Sequence, residues 1–299
     1  MPKVYDKVTA NIKPGWLKIR LTGGEEYAEM AKIVKTHSLH TICSSGMCPN
    51  KAECWSRKTA TFMILGDVCT RGCKFCATKT GQPLPTDRDE PQRVADSIYL
   101  MGLKHAVITS VTRDDLSDGG AEHWAAVVNA VRSKNPETTI ELLIPDLHAE
   151  AGHIAIVAVS APDIIGHNIE TVERLTPLVR SRAEYRTSLK AISLIAESGI
   201  VAKSGIMVGM GEKEAEVLRT LDDLREAGCE IVTLGQYLRP TMNHWPVAEY
   251  IRPEQFEKYK SEALSRGFSY VASAPLVRSS YMAEQALRHC GRDRKTNGQ

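Results

Sequence analysis

Short apolar, β-branched runs recur along the chain, each followed by a polar turn and then by apolar residues at helical spacing. The runs are "ATFMILG" (60–66), "HAVITS" (105–110), "TTIELLI" (138–144), "PDIIGHN" (162–168), "VAKSGIMVG" (201–209) and "CEIVTLGQ" (229–236). Between most of them lie helical patterns such as "EPQRVADSIYLMG", "AEHWAAVVNAVRSK", "SLKAISLIAESG" and "EKEAEVLRTLDDLREAG". Several of these close on Gly, as a helix C-terminus favours. Alternating strands and helices predict parallel pairing with right-handed crossovers. Six such units are too few for a closed eight-fold barrel, so the expected fold is an α/β protein, a partial (β/α)6 barrel; a doubly wound sheet is the alternative.

The polar residues cluster after the strands: "DVCTRGCKFC", "SVTRDDLSDGG", "IPD", "HNIE", "GMGE" and "QYLRPT" follow the six runs in order. Parallel barrels place their ligand sites at the carboxyl ends of the strands. Three segments are expected: an N-terminal extension at 1–58, the barrel at 59–274, ending with "RGFSYVASAP", and a C-terminal extension at 275–299.

The composition changes little in this picture. With 42% hydrophobic and 25% charged residues the chain of 299 residues is globular, and a net charge of +2 gives no support to nucleic-acid binding. No apolar run reaches the roughly 18–20 residues that span a bilayer, and the start "MPKVYDKVTANIKPGW" lacks a signal-peptide core. A soluble, cytoplasmic protein is expected.

The cysteines add chemistry. Six of the eight fall between positions 43 and 76, where Cys69, Cys73 and Cys76 are spaced C-x3-C-x2-C and Cys43, Cys48 and Cys54 are spaced C-x4-C-x5-C. Clustered cysteines in a chain of this type favour metal or redox work over disulfides. Cys229 and Cys290 read as isolated thiols. Structural zinc usually takes two cysteine pairs. Three thiolates on one tight loop suit three corners of an iron–sulfur cube and leave the fourth iron open. Gly72 permits the bend, and Arg71 and Lys74 are expected to offset the thiolate charge.

The spacing at Cys69, with Phe75 before the last cysteine, resembles the signature of the radical S-adenosylmethionine (SAM) superfamily. That resemblance implies a [4Fe–4S] cluster on Cys69, Cys73 and Cys76 whose open iron is chelated by SAM, the cosubstrate. The upstream triplet, together with "VRSSY" (277–281), "ATFMILGDVCTRGCKFC", "VTRDDLSDGGA", "HNIET", "KSGIMVGMGE" and "LRPT", resembles the lipoyl synthase family over about residues 12–285. This further resemblance implies a second, auxiliary [4Fe–4S] cluster on Cys43, Cys48 and Cys54, with Ser280 as fourth ligand. It implies insertion of two sulfur atoms at C6 and C8 of an octanoyl chain amide-linked to a carrier lysine, the auxiliary cluster being the donor. The metal ligands are then Cys43, Cys48, Cys54, Ser280, Cys69, Cys73 and Cys76, and the catalytic groups Cys69, Cys73, Cys76 and Ser280. Implied partners are octanoylated carriers (the glycine cleavage H protein, the acyltransferase of 2-oxoacid dehydrogenases) and an electron donor such as ferredoxin or flavodoxin.

Ser110, Thr112, Asn168 and Glu170 follow the second and fourth strands, where the superfamily holds the methionyl and ribose groups of SAM; generic polar turns are the plainer reading. "GMGE" (209–212) could meet the adenine edge or cap the next helix. Arg278 could steady the auxiliary cluster or the substrate, and Tyr281 could be packing. His37 and His40 lack further ligands for a metal, and "RDDLSDGG" lacks the terminal Glu of a calcium loop. The basic tail "RHCGRDRK" (288–295) could dock an acidic carrier face or remain solvated. Two other functions compete: another radical SAM enzyme with an auxiliary cluster, such as a methylthiotransferase or a biotin-synthase relative, and a two-cluster electron carrier of ferredoxin type. A carrier would need closed four-thiolate sites and far less protein around them.

Overall fold

The computed structural model describes residues 13–18, 24–37, 39–56, 60–280 and 284–289. Its strands in chain order are β1 (His40–Thr41), β2 (Thr61–Ile64), β3 (Val68–Cys69), β4 (Lys79–Thr80), β5 (His105–Ser110), β6 (Thr139–Leu143), β7 (Ile164–Gly166), β8 (Val201–Val208), β9 (Ile231–Gln236) and β10 (Tyr270–Ser273). The helices are α1 (Glu25–Thr36), α2 (Ile42–Ser45), α3 (Lys51–Ser56), α4 (Glu90–Met101), α5 (Ala121–Lys134), α6 (Ala151–Val159), α7 (Thr176–Val179), α8 (Tyr185–Glu197), α9 (Glu214–Glu226), α10 (Pro253–Ser265) and α11 (Glu284–His289).

One sheet runs β1-β2-β5-β6-β7-β8-β9-β10. From β2 onward every neighbour is parallel and follows in chain order. A doubly wound sheet would reverse its strand order at a switch point. None occurs here, so the sheet is singly wound, and its order ends at β10 without returning to β1, which pairs antiparallel with β2. The partial barrel thus has the six expected strands plus a seventh parallel strand, β10, in the segment read as the last barrel element.

The apolar runs become strands because both their faces are covered: all residues of β2 and β9, and all of β8 but one, are buried. The helices that cover them carry one apolar stripe, as α8 does with Leu189, Ile192 and Ile195. Gly102 ends α4 in the left-handed region, with φ 61°, which costs a residue without a Cβ least.

The C-terminal segment lies within the barrel. After β10 the chain turns back, with Gln236 N donating to Pro275 O at 3.2 Å. Residues 277–279 then press on two strand glycines. A Cβ on Gly235 would fall 2.1 Å from Val277 O, and one on Gly205 would fall 3.1 Å from Ser279 Oγ. Further on, Ala286 and Leu287 of α11 pack with Ile164, Val201 and Ile231, the first residues of β7, β8 and β9. The segment therefore runs from the carboxyl ends of the strands to their amino ends. Tyr281, Cys290 and the side chains of the basic tail lie outside what is described. Among the described residues, no helix is long and apolar enough to cross a membrane.

Candidate active site

The loop after β2 carries Cys69, Cys73 and Cys76, and nearly every neighbouring strand end holds it. Thr70 N and Thr70 Oγ1 both donate to Thr112 O at 3.0 Å, after β5. Lys74 N donates to Val179 O at 2.8 Å, after β7. Beyond β9, Trp245 N donates to Lys74 O at 2.7 Å, and His244 Nε2 lies 3.1 Å from Cys76 O. Cys69 Sγ accepts the N–H groups of Arg71 and Thr112, both at 3.4 Å.

Arg71 corrects a sequence expectation. Its guanidinium does not offset thiolate charge; it spans two carboxylates, Asp114 (2.8 and 2.9 Å) and Asp146 (2.6 and 2.9 Å). Bidentate pairing with carboxylates outcompetes a looser approach to sulfur. Burial pushes the Asp146 carboxyl up, but Arg71 outweighs it and holds the group well below the usual range. Lys74 also points elsewhere, its ammonium lying 5.6 Å from the Trp245 ring centre. Asp146 further accepts from His148 N at 3.1 Å, within a turn where Leu147, His148 and Ala149 are all left-handed, at φ 45°, 56° and 50°. Such a run costs on the order of 1–2 kcal/mol per residue. It brings His148 Nε2 to 3.2 Å from Asp114.

The loop opens onto a cavity of about 350 Å³ whose walls are mainly apolar. All three of its cysteines line this cavity, and so do Cys43, Cys48, Arg278, Ser279 and Ser280. The structure thus brings five of the six clustered cysteines and the candidate serine to one space. Cys54 on α3 is half-buried against the core and is not in that lining. None of the seven described cysteines is in a disulfide. Burial raises the pKa values of Cys48, Cys73 and Cys76. Neighbouring charge opposes it at two of them: Arg278 at Cys48 and Arg180 at Cys73.

The donor set suits cubes better than single ions. Zinc needs its ligands within roughly 2.3 Å of one point. Among the described residues no three His, Cys, Asp or Glu groups converge in that way. A cube takes each thiolate on a different iron. Two of the cavity side chains able to ligate are already engaged. Asp146 holds Arg71, and His167 is bonded through both ring nitrogens, to Ile144 O and Ser188 Oγ, each at 3.0 Å.

All four candidate SAM contacts line the cavity. Ser110 Oγ is buried with no protein partner among the described atoms. Thr112 serves Cys69 through its backbone. Glu170 has φ 67°, rare without glycine, and burial pushes its carboxyl above the usual range against the pull of Arg180 and Asn168. Asn168 Nδ2 donates to Ser279 Oγ at 2.7 Å and to Glu170 Oε1 at 3.3 Å. Sequence reasoning missed Arg180, which is buried, lines the cavity and keeps its Nε without a partner. Its only signal was a basic residue in the segment after the fourth strand. The "GMGE" turn is outside the lining: Glu212 closes it by accepting Gly209 N at 2.5 Å and Met210 N at 2.9 Å.

Residues 63–224 match the Radical SAM superfamily. A lipoyl synthase from Bacteroides fragilis is 60% identical over 276 residues, covering 92% of this chain and 96% of that protein. One from Treponema denticola is 54% identical, covering 91% and 94%. In fold, the chain is similar to methylornithine synthase (TM-score 0.54, 13% identity, 74% of this chain and 73% of that one). It is likewise similar to HydG, a maturase of the [FeFe]-hydrogenase (TM-score 0.54, 14% identity, 77% and 61%). The chain belongs to the lipoyl synthase family, within the radical SAM superfamily of enzymes.

Proposed function

We propose that this enzyme inserts two sulfur atoms, at C6 and C8, into an octanoyl chain carried on the lysine of a lipoyl carrier protein. The observation that carries this reading is the sharing of one mainly apolar cavity by the Cys69 triplet, two cysteines of the upstream triplet (Cys43 and Cys48) and Ser280. Its volume of about 350 Å³ lies in the range of small-molecule sites. Cys69, Cys73 and Cys76 would hold one [4Fe–4S] cluster, and Cys43, Cys48, Cys54 and Ser280 the other. Cys54 would have to turn its thiol toward the cavity to take part.

When bound and reduced, the first cluster supplies the electron that cleaves SAM to methionine and a 5′-deoxyadenosyl radical, able to take hydrogen from an unactivated C–H bond. No side-chain base could do so, since protein pKa values lie far below that of an alkane. The second cluster supplies the sulfur. The chain's own residues position and shield. Arg180 would meet the SAM carboxylate, its Nε being unpartnered. Ser110, Asn168 and Glu170 would meet the remaining polar groups. Leu143, Ile144, Met207 and Val277 would pack on the acyl chain and exclude water. Ser280, a harder and less well matched ligand for cluster iron than thiolate, would give the second cluster its weakest corner.

The reading places the enzyme in the cytoplasm, with an octanoylated glycine cleavage H protein or dehydrogenase acyltransferase as substrate and a ferredoxin or flavodoxin as donor. The test is an anaerobic reaction with SAM, a reductant and an octanoyl-lysine peptide, followed by mass spectrometry. The reading requires two added sulfurs per peptide and deoxyadenosine in solution; deoxyadenosine with a methylthiolated or unchanged peptide would overturn it.

A further inference from the structure

Between Leu276 and Ser279 the C-terminal segment is pinned at both ends by side chains from distant parts of the chain, Asn50 and the cavity-lining Asn168. Asn50, in the turn between Cys48 and Cys54, donates through Nδ2 to Leu276 O at 2.7 Å. Asn168, just beyond β7, donates through Nδ2 to Ser279 Oγ at 2.7 Å and sends its other N–H to Glu170 Oε1 at 3.3 Å. The second pin sits over Gly205, where an added Cβ would fall 2.8 Å from Asn168 Oδ1, 2.8 Å from Thr233 Oγ1 and 3.1 Å from Ser279 Oγ. No side chain other than hydrogen fits beneath that junction. Ser280, the next residue, follows the pin directly and faces the cavity.

We infer that Ser279 is a positioning residue that couples the SAM side of the cavity to the fourth ligand of the second cluster, through its bond to Asn168. The inference rests on the proposal that Ser280 ligates that cluster. The amide of Asn168 divides its two N–H groups between Glu170, on the SAM side, and Ser279, on the sulfur side. A ligand that draws on Asn168 or Glu170 therefore acts on the same amide that fixes Ser279. Upstream, Val277 O is lodged against Gly235, so the bond to Ser279 is the last hold on the segment before Ser280. Occupancy by SAM and the place of Ser280 become linked, and linkage of this kind is reciprocal.

The first test uses cluster-free protein. Hydrogen exchange of the amides at 276–280 is followed in the parent, Ser279→Ala, Asn168→Ala and the double variant. Each single variant is expected to exchange at least about fivefold faster, and the double no faster than the faster single, since both remove one bond. The amides of β8 should stay protected throughout, which separates a released segment from an unfolded barrel. Parent-like exchange in Ser279→Ala, or single effects that multiply in the double variant, would overturn the inference.

The second arm uses loaded protein. The Mössbauer signature of the second cluster should shift when SAM binds the parent and stay fixed in Ser279→Ala. A signature that is insensitive to SAM in the parent, or equally sensitive in both, also overturns it. Iron content of Cys43→Ala/Cys48→Ala/Cys54→Ala protein separates this failure from failure of the two-cluster proposal. If iron falls by half while Ser279→Ala behaves as the parent, only the coupling is wrong; if iron stays whole, the proposal beneath it is wrong.

Discussion

Asn50 and Leu276 are 226 positions apart in the chain, and a part-buried hydrogen bond of 2.7 Å joins Asn50 Nδ2 to the Leu276 carbonyl. Asn50 O also accepts Cys54 N at 2.9 Å, so one residue orders the turn of the upstream triplet and ties it to the segment that carries Ser280. Replacing Asn50 with Ala removes this bond, a loss of about 0.5–1.5 kcal/mol. The variant should melt lower, keep SAM cleavage, and lose iron from the second cluster first. Iron and sulfide counts beside deoxyadenosine yield check this; an even loss from both clusters would contradict it.

Gly235→Ala tests the fit of the C-terminal segment from the other side. The new methyl would overlap Val277 O, and neither partner is a flexible side-chain end. Overpacking of this kind costs about 1–3 kcal/mol or more. Sulfur insertion should fall further than SAM cleavage, because the displaced segment carries Ser280 while the Cys69 loop is held elsewhere. Equal losses in the two assays would argue against that division.

The Arg71 clamp gives a pH dependence of known sign. The Asp146 carboxyl is held below its unfolded value, so its contribution is present above an unfolded pKa of roughly 3.9 and is lost as pH falls through the lower folded value. Asp146→Asn should therefore be less stable than the parent at neutral pH, by about 1.5–3 kcal/mol, since Arg71 keeps its two bonds to Asp114. The gap should close below about pH 4. Denaturant melts at neutral and acid pH measure it. A gap that is constant with pH would show that the charge of Asp146 does not matter.

Much of this architecture is legible in the sequence, for a physical reason. Parallel strands buried on both faces must be apolar throughout, so β2, β5, β8 and β9 stand out as runs, and α4, α5 and α9 stand out by their period. The helix α6, "AGHIAIVAV", has no such period, because apolar residues cover it on every side, Val159 being exposed. The strand β10 is only four residues long and is embedded in a segment without a clear pattern.

The cysteine triplets are legible because their spacing is local. Their supports are not. Arg71 finds its carboxylates 43 and 75 positions away, and nothing in "CTRGC" names them. The glycines at 205 and 235 read as strand weaknesses until the returning segment is seen against them.

Loss of any one of Cys69, Cys73 or Cys76 to Ala should abolish SAM cleavage, since the open iron would be lost with its cube. Deoxyadenosine formed at the parent's rate by any of the three would remove the Cys69 loop from the chemistry.

The division of labour between the triplets is tested most directly by mass spectrometry of an octanoyl-lysine peptide after anaerobic reaction with Cys43→Ala/Cys48→Ala/Cys54→Ala protein, SAM and a reductant. With three soft ligands gone, Ser280 alone cannot retain a cube, and about half of the iron and sulfide should remain. The account predicts deoxyadenosine in solution and a peptide that has gained no sulfur. A peptide that gains sulfur from the variant's own remaining iron–sulfur content would place the donor elsewhere and contradict the account.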